Sequence, residues 1–154
     1  MIYYLSLGAN LGEREQTLRR AMQMIEQQIG PILRCSSFYY SEPWGFDSPN
    51  PFCNLCCAVE TTLPPIEVLH TTQAIERALG RKEKSDGHYS DRPIDIDLIR
   101  AVDEQGLEIK CNIPYPQAPT TNQQPQTSSG MLLVLPHPLW QQRDFVKVPL
   151  AEIM

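Results

Sequence analysis

Four β-prone runs and two amphipathic helical stripes alternate through residues 1–102, and their order restricts the fold more than any other feature of the chain. The run "IYYLSLGA" (2–9) ends at a glycine turn. Asn10 then stands as an N-cap with Glu13 in the capping-box position. Leu18, Ala21, Met22, Ile25 and Ile29 recur at helical spacing until Gly30-Pro31 stops them. "ILRCSSFYYSE" (32–42) reads as a second strand, and the proline-rich "PWGFDSPNP" (43–51) as a loop. "FCNLCCAVETTL" (52–63) reads as a third strand, with Phe52, Asn54, Cys56, Ala58 and Glu60 on one face. Pro64-Pro65 opens a second helix, striped by Val68, Thr72, Ile75 and Leu79 and closed by Gly80. A polar loop (81–91) leads into the fourth strand, 93–102.

The order β-α-β-β-α-β predicts a ferredoxin-like α+β core: an antiparallel sheet, both helices on one face, the other face open, and a C-terminal extension. A length of 154 residues fits one domain, 1–154. Asp103 to Gly106 reads as a turn into a short strand, 107–111. Residues 112–130, rich in Pro, Gln, Thr and Ser, read as a flexible insertion. "MLLVLPHP" (131–138) and "DFVKVPLAEIM" (144–154) close the chain.

The fourth strand carries an electrostatic fault. In "DRPIDIDLI" (91–99), Ile94, Ile96 and Leu98 alternate toward a core, which turns Asp95 and Asp97 together onto the other face. Like charges side by side on a strand are unfavourable. Either this is a solvated face, or the pair holds a divalent cation. Mg2+ fits the second reading, since it is commonly bound by one or two carboxylates together with substrate phosphates. Arg92 enters the same strand, and a guanidinium beside such a pair suits phosphate chemistry. The chain has neither a P-loop nor a G-x-G-x-x-G fingerprint, and "GANLG" reads as a turn and helix start.

Other residues keep two readings. Gln73 and Glu76 form either a polar helix face or part of a site. His137, between two prolines, is either a turn residue or a positioned donor. Phe52 beside Asn54 is either core or a ring and an amide for a heterocycle. The five cysteines show no zinc spacing and read as reduced, mostly buried thiols of a cytoplasmic protein. A net charge of −5 argues against a nucleic-acid surface, and neither a membrane-spanning run nor a signal peptide is read.

Taken together, "YLSLGANLGERE", "SSFYYSEPWG", "PFCNLCCAVETTLPP", "IERALGR", "DRPIDIDLI", "LPHP" and "RDFVKVPLAEI" resemble the 6-hydroxymethyl-7,8-dihydropterin pyrophosphokinases of folate biosynthesis. The resemblance implies pyrophosphate transfer from ATP to the pterin hydroxymethyl group, with release of AMP. It implies two Mg2+ ions on Asp95 and Asp97, and a pterin pocket of Ser41, Glu42, Trp44, Phe52, Asn54 and Phe145. It further implies ATP contacts from Gln73, Glu76, Arg81, Lys84, Arg92, Ile96, His137 and Arg143, with Arg81 and Arg92 also acting in catalysis. The expected partners are these small molecules, with no nucleic acid and no membrane, and the expected state is a monomer. The chain also departs from the family pattern. Lys82 and Lys84 stand near the place of a second loop arginine, Tyr89 near that of a loop tryptophan, and Leu132 and Val134 where some members are polar. The competing expectations are an RNA-recognition module on the same fold and another D-x-D phosphotransferase.

Overall fold

The computed structural model describes residues 1–42, 50–80, 93–114 and 131–154. In chain order these form β1 (Ile2–Ala9), α1 (Arg14–Gln28), β2 (Ile32–Cys35), β3 (Tyr39–Ser41), β4 (Phe52–Glu60), α2 (Pro65–Ala78), β5 (Asp95–Val102), β6 (Cys111–Pro114), β7 (Met131–Leu135) and α3 (Asp144–Ile153). The main sheet runs β2-β4-β1-β5, with β3 also paired to β4, and every pairing is antiparallel. Strands β6 and β7 make a separate ribbon. The fold is the α+β, ferredoxin-like arrangement expected from the element order.

Period-two alternation sorts the strands onto two faces. Tyr3, Leu5, Leu7 and Ala9 of β1, with Cys53, Leu55, Cys57 and Val59 of β4, pack with Leu18, Ala21 and Ile25 of α1 and with Val68 and Ile75 of α2. Ile94, Ile96 and Leu98 join the same core. On the opposite face Tyr4, Cys56, Ala58 and Ile99 pack with Val146, Leu150 and Ile153 of α3. The second face is therefore partly covered by a helix rather than left open. Pro149 lies inside α3 and removes the backbone bond that would run to the Phe145 carbonyl. Glu152 ties the far end of α3 down, its carboxylate accepting from the N–H and hydroxyl of Ser37 at 3.3 and 3.1 Å.

Several boundaries differ from the expectation, each for a local reason. α1 starts at Arg14, and Glu13 is its N-cap without a side-chain bond. Asn10 is no cap, because the helix begins four residues beyond it; its Nδ2 donates instead to the Asn50 carbonyl at 3.1 Å. The expected single strand 32–42 is broken at Ser36, whose Oγ accepts the Cys56 N–H at 2.9 Å and so substitutes for a backbone partner. The strand expected at 107–111 is displaced: Glu108 makes only an isolated bridge to Val102, and β6 begins at Cys111. Asn112 to Pro114 consequently belong to a strand and not to an insertion; the rest of that segment lies outside the described residues. β5 carries an irregularity opposite Tyr4 and Leu5, so Ala101 packs on the helix side together with Leu98, three residues before it, while Ile99 faces α3.

Candidate active site

The register brings together what the sequence left apart. Asp95 lies opposite Gly8, and Gly8 opposite Asn54. In the next row on the same face, Asp97 lies opposite Ser6, and Ser6 opposite Cys56. Ile94, Ile96 and Leu98 are in the helix-side core, so both aspartates sit on the α3 side of the sheet, each half-buried.

Asn54 is buried at 2% exposure, and its orientation is fixed by the partners of its amide. Nδ2 donates to the Tyr39 carbonyl and to Ser41 Oγ, both at 2.9 Å. A carbonyl only accepts, so the nitrogen must face β3 and Oδ1 must face the other way, over Gly8. No described residue donates to that oxygen. Ser41 thus acts on the pocket by holding Asn54; Glu42 beside it is exposed. Phe52 lies two residues before Asn54 on the same face, and the lead-in to β4 is pinned by Arg14, which donates to the Pro51 carbonyl at 2.7 Å.

α3 covers the adjoining row. The Cys56 thiol reaches the Val146 carbonyl at 3.7 Å, which sets the first turn of α3 at the row of Cys56, Ser6 and Asp97, one row from Asn54 and Asp95. Phe145 is half-buried there, and the buried Arg143 holds its guanidinium 5.8 Å from the Phe145 ring centre. The site therefore has Phe52 on a strand and Phe145 on a helix. Burial pushes the Cys56 thiol up to about 12, so it supplies no thiolate nucleophile at neutral pH.

The outer edge of β5 is held from two sides. Glu76 of α2 is 2% exposed, and its Oε2 accepts the Ile96 N–H at 2.7 Å. It is not part of a solvated helix face; the i, i+3 spacing with Gln73, which is half-exposed, concealed an inward carboxylate. The Ile96 side chain lies in the core, so any contact it makes with a ligand runs through its backbone. His137 donates its backbone N–H to the Ile99 carbonyl at 2.7 Å. Its Nδ1 accepts the Leu139 N–H at 3.1 Å, which places the proton of the neutral ring on Nε2. Replacing Glu76 by alanine removes the acceptor for a buried N–H between the two aspartates. The expected loss is about 1–3 kcal/mol of stability, read from urea unfolding; Glu76→Gln, which keeps an acceptor, recovers most of it.

Trp44, Arg81, Lys82, Lys84, His88, Tyr89 and Arg92 lie outside the described residues, as do most of the loops expected at 43–51 and 81–91. Among the described residues no group of three or more His, Cys, Asp and Glu could enclose a metal ion. The donor set is instead two carboxylates on one face. That is poor for zinc, which takes four protein ligands in structural sites and three in catalytic ones, and suited to a hard cation that completes its shell with phosphate and water oxygens.

Relatives narrow the chemistry. A model of the 7,8-dihydro-6-hydroxymethylpterin-pyrophosphokinase family matches residues 4–154. The chain belongs to that family. A 2-amino-4-hydroxy-6-hydroxymethyldihydropteridine pyrophosphokinase of Porphyromonas gingivalis is 45% identical over 99% of this chain and 90% of its own length. The pyrophosphokinase of that name from Bacillus subtilis is 33% identical over 99% of this chain and 77% of its own length. A folic acid synthesis protein of Dictyostelium discoideum is 33% identical over 99% of this chain, which corresponds to 19% of that larger protein. In this pyrophosphokinase, sequence reasoning missed Ser6, Gly8 and Tyr39, which the register sets around Asn54 and the aspartates. The signal for the first two was present in "YLSLGA", where small residues alternate with Leu5, Leu7 and Ala9. No described helix is long and apolar enough to cross a membrane.

Proposed function

We propose that the chain transfers the terminal pyrophosphoryl group of ATP to the hydroxymethyl oxygen of 6-hydroxymethyl-7,8-dihydropterin, the step that family membership assigns to folate biosynthesis. The observation that carries the site assignment is the row Asp95, Gly8, Asn54, with Asp97 in the next row: two carboxylates and a buried, oriented amide on one sheet face. The hydroxymethyl oxygen attacks the β-phosphorus of ATP, the bond from that phosphorus to the α,β-bridging oxygen breaks, AMP leaves, and the hydroxyl proton is lost to solvent. Asp95 and Asp97 are the residues to hold Mg2+, two ions in this reading, and bound Mg2+ supplies charge neutralisation across the phosphates. Asn54 Oδ1 accepts from a pterin N–H. Phe52 and Phe145 give the ring its two faces, with Ser41 fixing the amide and Glu42 and Trp44 at the rim. Glu76 keeps the β5 backbone in place between the aspartates. Gln73, Ile96, His137 and Arg143 serve the nucleotide, with Arg81, Lys84 and Arg92 on its phosphates. Alignment of the two substrates accounts for most of the acceleration, because phosphoryl chemistry needs little covalent help from the protein.

The two substrates are small molecules, and the reading takes the chain to act as a cytoplasmic monomer without nucleic acid. An RNA-recognition module presents aromatic side chains on an open sheet. Here Val146, Leu150 and Ile153 pack on that face, which disfavours the alternative. Chromatographic product analysis tests the proposal. AMP is expected only when ATP, Mg2+ and the reduced pterin are all present; accumulation of ADP instead would identify single-phosphoryl transfer and refute it.

A further inference from the structure

Pro51, the residue before β4, has no N–H, so only its carbonyl can anchor the backbone there. Ladder pairing also thins at this point. β1 pairs with β4 as far as Cys53, opposite Ala9, and Phe52 is paired to Ser41 of β3. Two side chains from beyond the end of β1 take over. Asn10 Nδ2 donates to the Asn50 carbonyl at 3.1 Å, and Arg14 Nη1 donates to the Pro51 carbonyl at 2.7 Å. Arg14 is itself held in place. Its guanidinium carbon is 5.5 Å from the Tyr40 ring centre, and Nη2 is 3.8 Å from Glu15 Oε1, which also accepts the Tyr40 hydroxyl at 2.8 Å. A planar fork can face a carbonyl and a carboxylate at once in one fixed geometry, which a flexible ammonium does not.

The clamp acts on the residue that follows. The Pro51 carbonyl and the Phe52 nitrogen belong to one planar peptide unit, so a bond to that oxygen sets the plane from which Phe52 departs. A Cβ built on Gly8 would lie 3.6 Å from Phe52 Cδ1 and 2.9 Å from Asn54 Oδ1, so the ring edge and the oriented amide oxygen converge on one spot. Stacking on an aromatic ring depends on its offset and tilt. A small rotation of Phe52 therefore misaligns the ring relative to the amide.

We infer that Arg14 is a positioning residue for recognition of the pterin: through the Pro51 carbonyl it sets the pose of the Phe52 ring relative to the Asn54 amide. This rests on the proposed pterin site. Arg14 acts without touching the substrate, and the nucleotide side does not depend on it.

Calorimetric titration of 6-hydroxymethylpterin, with α,β-methylene ATP and Mg2+ present, tests this. Arg14→Met keeps an apolar stem and removes the donors, and is expected to lose about fivefold to twentyfold in pterin affinity. Its affinity for the nucleotide analogue alone should stay within about twofold, which also reports that the variant is folded. Arg14→Lys keeps a cationic donor for the carbonyl and should lose less, about threefold. The decisive measurement is Arg14→Met in a Phe52→Leu background. Leucine has no ring face to orient, so there the change at Arg14 should cost less than about twofold. The same loss in both backgrounds would show that Arg14 does not act through Phe52 and would overturn the inference. So would unchanged pterin affinity in Arg14→Met, or equal losses for pterin and nucleotide. Failure of the unaltered chain to bind the pterin would instead overturn the proposed site itself.

Discussion

Replacement of Asp95 or of Asp97 by alanine is expected to abolish Mg2+-dependent AMP release, with a fall in kcat/KM of about a thousandfold or more. The magnitude follows from the several kcal/mol of transition-state charge stabilisation that a bound cation provides, at about 1.4 kcal/mol per tenfold. Both residues are half-buried on one sheet face, opposite Ser6 and Gly8, and neither is part of the apolar core. Their removal therefore leaves the apolar packing of Ile94, Ile96 and Leu98 in place. Cooperative thermal unfolding should be retained in both variants. Calorimetry should show that the nucleotide no longer gains affinity on adding Mg2+. Turnover near normal in both variants would refute the assignment of this pair.

The second large effect is expected at Asn54. Asn54→Ala removes an oriented acceptor from a buried site, and the affinity for 6-hydroxymethylpterin should fall about tenfold to a hundredfold, while that for an ATP analogue changes by less than about threefold. The variant also deprives Tyr39 and Ser41 of a shared donor. Some destabilisation, about 1–3 kcal/mol, should accompany the binding defect and be measurable in urea. Selectivity between the two ligands is what distinguishes a recognition residue from a merely structural one. Equal losses for pterin and nucleotide would remove Asn54 from the pterin site.

The parts of this architecture that were legible in the sequence are those governed by short-range periodicity. Alternation in 94–98 turned both aspartates away from the core, and alternation in 52–60 put Phe52 and Asn54 on a common face, though it left open which one. The helical stripes of α1 and α2 were equally plain. Cross-strand register was not legible, because nothing local says that residue 8 meets both 54 and 95. Glu76 stayed between two readings for a similar reason: a polar residue three positions from Gln73 is compatible with a wet helix face, and only the position of the Ile96 N–H reveals why a carboxylate should be buried there. Ser36 breaks a strand by a side-chain bond to β4, a tertiary event invisible in residues 32–42. The helical nature of α3 was hidden by Pro149, yet its apolar residues Val146, Leu150 and Ile153 follow helical spacing and find a ready surface on the sheet. Family resemblance supplied the pairing of amide and carboxylates with pterin and ATP, which periodicity had no means to supply.

The fastening of β5 bears on solubility as well as on chemistry. An outermost strand with unengaged amides is a template onto which another chain can add. Along β5 the Ile96 N–H is taken by Glu76, and the Ile99 carbonyl by the backbone of His137. The same two bonds that steady the aspartate-bearing strand also deny it to a foreign strand. Variants that loosen Glu76 should therefore aggregate more readily on storage at high concentration, even under conditions where most molecules remain folded.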